Sequence, residues 1–311
     1  MHYSPTALHI PDGFLNIVIA LIFWALTAVF VAIAISKTNK SLGEKQVPLM
    51  GVMAAFVFAA QMLNFPVPGG TSGHFLGGAL AAIVLGPWES ILVMTAVIAV
   101  QGLLFQDGGL LAMGANIFNM GILTALIGFG LYRAVSTSRK SFRMAVAGVA
   151  AWLSTIASAL FAGLQLWLSG TSRLEIVLPA MLGMHVLIGL GEAIITVAAL
   201  AFIERTRPDL LNADKSAGQG GYGWVIAGLL FAILAAILSP VASTNPDGLE
   251  RVALDLGFFE NSQSAPYQIL PDYSLPFLGQ TALSTILAGI IGLVIVAGLV
   301  ILLARSLRKK P

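Results

Sequence analysis

The chain has 311 residues, 58% of them hydrophobic and only 10% charged, with a mean hydropathy of +0.92. A soluble domain carries about 25% charged residues, so a soluble enzyme, a nucleic-acid binder and a disordered chain are all excluded. Net charge is +2 and cysteine is absent, which removes disulfides and thiolate metal sites and leaves His2, His9, His74 and His185 as the only imidazoles.

Residues 1–14 are polar and proline-broken, with nothing basic ahead of the first apolar run and no Ala-x-Ala step after it, so they do not read as a secretory signal. A helix needs roughly 20 apolar residues to cross the hydrocarbon layer. Nine segments approach this: 15–36, 47–63, 74–86, 88–105, 110–132, 144–169, 175–203, 224–243 and 277–304. The third is short. Gly86 and Pro87 separate it from the fourth, and a proline suits the first turn of a helix, so 74–105 reads as two helices with a tight turn. The basic residues support this count. Lys37, Lys40 and Lys45 follow the first span, and Arg133, Arg139, Lys140 and Arg143 follow the fifth. Arg205, Arg207 and Lys215 follow the seventh, and Arg305, Arg308, Lys309 and Lys310 close the chain. Nine crossings put all four clusters on one face, the cytoplasmic one by the positive-inside rule, with the N-terminus outside and the C-terminus inside. A single helix over 74–105 would split them. The fold expected is an all-α polytopic membrane protein of about nine transmembrane helices in the cell (inner) membrane, with the lipid bilayer as its solvent.

The polar, glycine-rich stretch within 205–223 reads as a cytoplasmic linker. It divides a unit over 1–204 from a two-helix unit over 224–311. No internal repeat of the inverted type is visible. The outer loop of the second unit, 244–276, carries Asp247, Glu250, Asp255, Glu260 and Asp272 against Arg251. Such a loop raises the local concentration of cations, or is simply solvated.

Four stretches carry residues with chemical potential. His9-Ile10-Pro11-Asp12 leads straight into the first span, with Asp12 a support for a site there or a helix cap. Pro66, Pro68, Gly69 and Gly70 break the backbone ahead of His74, and irregular backbone at membrane depth is tolerated only where protein buries it or it lines a cavity. Asn116 and Asn119 are three apart and share a helix face, as supports for a site or as amides holding helices together. His185 and Glu192, seven apart, share a face of the seventh span, and intramembrane ionisable groups point to function. His185 reads as a supporting residue. Gly51, Ala55 and Ala59 repeat every four residues, a face suited to close helix contact and read as a candidate surface for a membrane partner, with packing inside the chain as the alternative. No P-loop and no His-Glu-x-x-His are present, so the chain is not expected to be an enzyme.

Together these stretches resemble the CbiM/NikM-type metal-binding membrane component of energy-coupling-factor (ECF) transporters for cobalt and nickel. The resemblance is carried by His9-Ile10-Pro11-Asp12-Gly13-Phe14-Leu15, by Ser72-Gly73-His74-Phe75-Leu76-Gly77-Gly78, by residues 107–121 with Asn116 and Asn119, and by His185 through Ala193. Asn245-Pro246-Asp247-Gly248-Leu249-Glu250 resembles the small accessory (N) component of the same transporters, so the chain looks like a fusion of the two. The resemblance implies uptake of Ni2+ or Co2+, no tightly bound cofactor, and partners that are an ECF coupling membrane protein and ABC-type ATPase subunits. The small-residue face of Gly51, Ala55 and Ala59 is where that coupling protein is expected to pack, unless it packs within the chain. In the family a terminal amine, an amide nitrogen and the imidazole of residue two chelate the metal, a planar nitrogen set that suits Ni(II), and a second histidine completes it. His74 matches that second histidine. The motif histidine here is His9, preceded by seven extra residues. Cleavage after Ala7, chelation by Met1 and His2 folding back toward His74, and plain imidazole ligation by His9 and His74 all remain open. Loop 244–276 is expected to assist loading without holding the high-affinity metal. A stand-alone secondary carrier or channel for divalent cations is the alternative function.

Overall fold

The computed structural model describes residues 9–44, 46–211 and 223–308. Met1, His2, Lys45, Lys215, Lys309, Lys310 and most of the 205–223 linker lie outside the described residues. The long helices are α1 (Ile17–Ser41), α7 (Lys140–Leu168), α8 (Leu174–Thr206) and α11 (Ala282–Leu307). Between them stand α2 (Gln46–Gln61), α3 (Gly78–Leu85), α4 (Pro87–Val100) and α9 (Gly223–Leu238). A further helix over Met113–Ala134 consists of α5 (Met113–Asn116), a π-helical stretch (Ile117–Leu123) and α6 (Thr124–Ala134). Among the described residues, seven helices are long and apolar enough to cross a membrane; Gln46–Gln61 is shorter, and α3 has 8 residues. The nine expected spans thus appear as seven full-length helices and two short ones.

The reason for the short α3 is local. Gly86 adopts φ +101 and ends α3, and Pro87 opens α4 at its first position, so the chain breaks where only glycine is comfortable. At the other end Gly77 is left-handed, and the preceding residues form a hairpin of β1 (Phe65–Val67) and β2 (Thr71–Gly73), with Pro66 opposite Ser72. The apolar run from 74 therefore starts as loop and becomes helix only at Gly78.

Helix α4 is central, with Ile91, Val93, Met94 and Val97 buried, whereas α1 turns Ile17, Val18, Leu21 and Ile22 outward, as a lipid-facing helix does. Its N-terminus is capped by Asn16, whose side chain accepts from Ile19 N. At the opposite end of α1, Glu44 pairs with Arg308 at 3.1 Å. The start of α7 is tied to the end of α8: Arg143 donates to Leu211 O at 3.2 Å, and Lys140 lies 3.3 Å from Glu204.

The second unit is not an appendage. Its loop contains α10 (Gly248–Leu256), and a hydrophobic cluster joins Ile10 and Phe14 of the N-terminal segment, Leu166 and Met181 of α7 and α8, and Val252 and Phe258 of this loop. Phe14 and Phe258 meet edge to face at 5.1 Å.

Candidate metal centre

His9 lies in an extended segment threaded into the protein, and its backbone is clamped on several sides. Asn116 acts as a substitute strand: its Oδ1 accepts from Ile10 N and its Nδ2 donates to Ile10 O, both at 3.0 Å. Gly109 N donates to the same carbonyl at 2.9 Å. Asp12 accepts from the backbone N–H groups of Leu110, Leu111 and Ala112 at 2.8–3.0 Å, tying the segment to the turn that starts α5. Gly108, at φ +99, must be glycine for a second reason: a Cβ there would come within 2.8 Å of the His9 Cβ. The imidazole is 2% exposed. Its Nδ1 faces the Asp107 carbonyl at 3.0 Å and the Asp107 carboxylate at 3.5 Å.

His74 follows β2 directly. Just beyond it, Glu192 of α8 accepts from Leu76 N at 2.6 Å and Gly77 N at 3.0 Å, and Gln61 donates to Leu76 O at 2.8 Å. These bonds satisfy backbone groups that a broken helix leaves orphaned inside a membrane. The outcome is a loop that holds the His74 ring 5.8 Å from the His9 ring, at 77°. The Nδ1 of His74 is 3.8 Å from Asp247 Oδ2. The Nε2 atoms of both rings are buried without a hydrogen-bond partner among the described residues. His9 and His74 line one cavity of about 60 Å³, shared with Asn116, Asn119, Met181, His185 and Asp247. His185 bonds Met181 O through Nδ1 at 2.7 Å, which turns its other nitrogen away from that carbonyl.

The sequence-predicted residues thus divide. His9, His74, Asn116, Asn119 and His185 come together around the cavity, while Met1 and His2 fall outside the described residues. Asp12 does not cap its own helix, a task left to Asn16; it holds the 110–112 turn. Glu192 shares the His185 face of α8 but grips the loop behind His74. Asn119 forms a reciprocal amide pair with Gln165 of α7 at 2.7 and 2.9 Å, so it joins helices as well as lining the site. Gly51, Ala55 and Ala59 require a correction. All three are buried, and a Cβ on Gly51 would lie 2.5 Å from Ile301 Cγ1, so α11 of this chain already fills the face expected for a coupling protein.

Sequence reasoning overlooked three participants. Asp107 and Asp247, quoted within motifs, received no role beside the imidazoles, and Tyr273 received none at all. Tyr273 donates to Asp107 Oδ2 at 2.6 Å. Burial pushes the Asp247 carboxyl well above the usual carboxylate range, a shift only partly offset by the Glu250 N–H it accepts from. Burial and the neighbouring Asp107 carboxylate push the Tyr273 hydroxyl up too, so it remains a proton donor. Loop 244–276 stands closer to the site than an acidic outer loop suggests, because the backbone of Ser72 pairs with it: Ser72 N donates to Pro246 O at 2.8 Å.

Residues 9–210 match the cobalt uptake substrate-specific transmembrane region, CbiM. The chain belongs to that family. Residues 222–309 match the PDGLE domain, named for the motif that supplies Asp247. The putative fused nickel transport protein NikMN of Archaeoglobus fulgidus is 39% identical over 304 residues, covering 97% of this chain and 99% of that protein. The cobalt transport protein CbiM of Sorangium cellulosum is 34% identical and covers 66% of this chain and 95% of its own length. A crystal structure of a transition metal transporter superposes with a TM-score of 0.60 at 31% identity, covering 68% of this chain and all of that one. This family member is therefore a multi-pass membrane protein and a component of cobalt or nickel transport.

Proposed function

We propose that the chain captures Ni(II) or Co(II) at the outer face of the membrane through nitrogens of His9 and His74, as the substrate-binding component of an ATP-driven ECF-type uptake transporter. The observation that carries this reading is the convergence of two motif imidazoles on one cavity with both Nε2 atoms buried and unpartnered among the described residues. Buried polar atoms are normally hydrogen-bonded, and borderline divalent ions accept imidazole nitrogen. A cavity of about 60 Å³ suits a partly dehydrated ion. It does not suit an organic metal complex, since pockets for such ligands run to ~300–1,000 Å³. Cobalt and nickel share these preferences, and ligand type alone does not separate them.

The same arrangement supports an orientation. The site lies at the Ile17 end of α1. The Glu44–Arg308 pair lies at its other end, and Arg143 and Lys140, at the start of α7, have partners just after α8 and at the end of α8. Basic ends gathered opposite the site support an N-terminus outside, a C-terminus inside and the 1–204 and 224–311 units joined by a cytoplasmic linker. The chain has no P-loop, so ATP is hydrolysed on ABC-type ATPase subunits and transmitted by a coupling membrane protein.

Proteoliposome uptake of Ni(II) tests the reading. Uptake is expected only when the coupling protein and ATPase subunits are co-reconstituted, and it should be abolished by His9→Ala or His74→Ala. Full uptake by the chain alone would instead identify a stand-alone carrier.

A further inference from the structure

The two aspartate side chains that face the metal-centre imidazoles are both held in place from the PDGLE domain. Asp247, 4% exposed, uses Oδ1 to cap α10 by accepting from Glu250 N at 2.7 Å, which leaves Oδ2 aimed at His74 Nδ1, 3.8 Å away. Its position is set by β2: besides the Ser72 N bond, Thr71 Oγ1 donates to Pro246 O at 2.9 Å and Ser72 Oγ to Asn245 O at 2.8 Å. The hairpin that delivers His74 and the turn that delivers Asp247 are thus one hydrogen-bonded unit.

On the other side of the cavity the same domain reaches His9 through Asp107. The Tyr273 ring stacks on Phe105 at 4.7 Å and 18°, and its hydroxyl holds Asp107 Oδ2, while Oδ1 lies 3.5 Å from His9 Nδ1 beside the Asp107 carbonyl that the same nitrogen meets at 3.0 Å. Backbone strain marks the same place. Among the described residues three non-glycine residues have positive φ: Gln106 at 56°, Asp272 at 50° and Tyr273 at 53°. All three adjoin Asp107, in sequence or through the Tyr273 bond. Left-handed conformations at such residues persist only where the surroundings over-determine them, and they gather at functional sites.

A metal-binding imidazole needs its second nitrogen anchored by an acceptor, which fixes the tautomer and the ring direction. We propose that Asp247 and Tyr273 are positioning residues through which the PDGLE domain sets His74 and His9, respectively, with Nε2 toward the ion. This rests on the reading above that His9 and His74 take the metal. The accessory domain is on this account an outer layer of the metal centre itself.

The test uses the full chain in nanodiscs, titrated with Ni(II) alone. Asp247→Asn and Tyr273→Phe, which keep size and, for Tyr273, the ring stack, are each expected to weaken Ni(II) binding by about 10- to 100-fold. Stoichiometry should be retained and thermal melting near wild type. X-ray absorption of the nickel-loaded variants should keep the wild-type number of nitrogen neighbours. Loss of an oxygen neighbour in Asp247→Asn would make Asp247 a direct ligand and overturn the positioning role. Wild-type affinity in both variants would overturn the proposal outright; if Asp247→Asn fails to fold, wild-type affinity in Tyr273→Phe and Asp247→Glu would do the same. His74→Ala separates this from the underlying reading. Lost binding there with neutral Asp247 and Tyr273 variants defeats only the present inference, whereas normal binding there defeats the ligand assignment.

Discussion

Asn116→Ala removes a clamp without touching a metal ligand, and its effect can be worked out from the bonds it breaks. Asn116 is 3% exposed and makes two bonds to Ile10, the residue after His9. The Ile10 carbonyl keeps a partner in Gly109 N, whereas the Ile10 N–H is left buried without one. An orphaned buried donor costs about 1–3 kcal/mol, and the lost second bond about 0.5–1.5 kcal/mol more. The Asp12 bonds to residues 110–112 remain, so the loss should loosen residues 9–11 locally and leave the helices folded. If about 1.4–2.8 kcal/mol of it appears in metal binding, Ni(II) affinity falls by about 10- to 100-fold. Calorimetric titration of the purified variant measures the affinity, and hydrogen exchange over residues 9–15 measures the loosening. Wild-type affinity together with wild-type exchange would refute the idea that Asn116 holds His9 in place. Lost affinity with a collapsed melting curve would show that the amide serves the whole fold.

Glu192→Gln keeps one acceptor and leaves either Leu76 N or Gly77 N orphaned, at about 1–3 kcal/mol; a lower melting temperature and weaker Ni(II) binding are expected, and no change in either would show that the loop after His74 is held by other contacts. His185→Ala should weaken Ni(II) binding less than His74→Ala does, because its ring lines the cavity while anchored to Met181 O; equal losses in the two titrations would make it a full ligand. Lys40→Cys, the only thiol in an otherwise cysteine-free chain, should react with a membrane-impermeant maleimide only after the membrane is opened, and labelling of intact cells would reverse the topology.

Much of the architecture was legible because hydropathy reports length directly. The Gly86-Pro87 break could be read because a positive-φ glycine followed by a helix-opening proline is a local event. The true length of α3 could not, because an apolar run from 74 hides the fact that Leu76 N and Gly77 N bond to Glu192, far away in sequence. The small-residue face of Gly51, Ala55 and Ala59 correctly announced close helix contact, but composition does not say which helix arrives, and α11 does. His9 and His74 were visible through the motifs around them, while the roles of their partners were not. An acidic loop reads as solvated, and only the pairing of Ser72 with Pro246 brings Asp247 out of water to His74. Tyr273 had no signal at all, since its reach to Asp107 depends on two successive left-handed residues that sequence pattern does not foretell.

The central claim is that imidazole nitrogens of His9 and His74 hold the transported ion. X-ray absorption at the nickel edge, on the purified chain loaded with one equivalent of Ni(II), tests it most directly when paired with the His9→Ala/His74→Ala double variant. The account predicts a nitrogen-containing first shell with the outer-shell scattering of imidazole in the wild type, and no stoichiometric nickel in the double variant. A first shell of oxygen alone, or full nickel loading of the double variant, would contradict it.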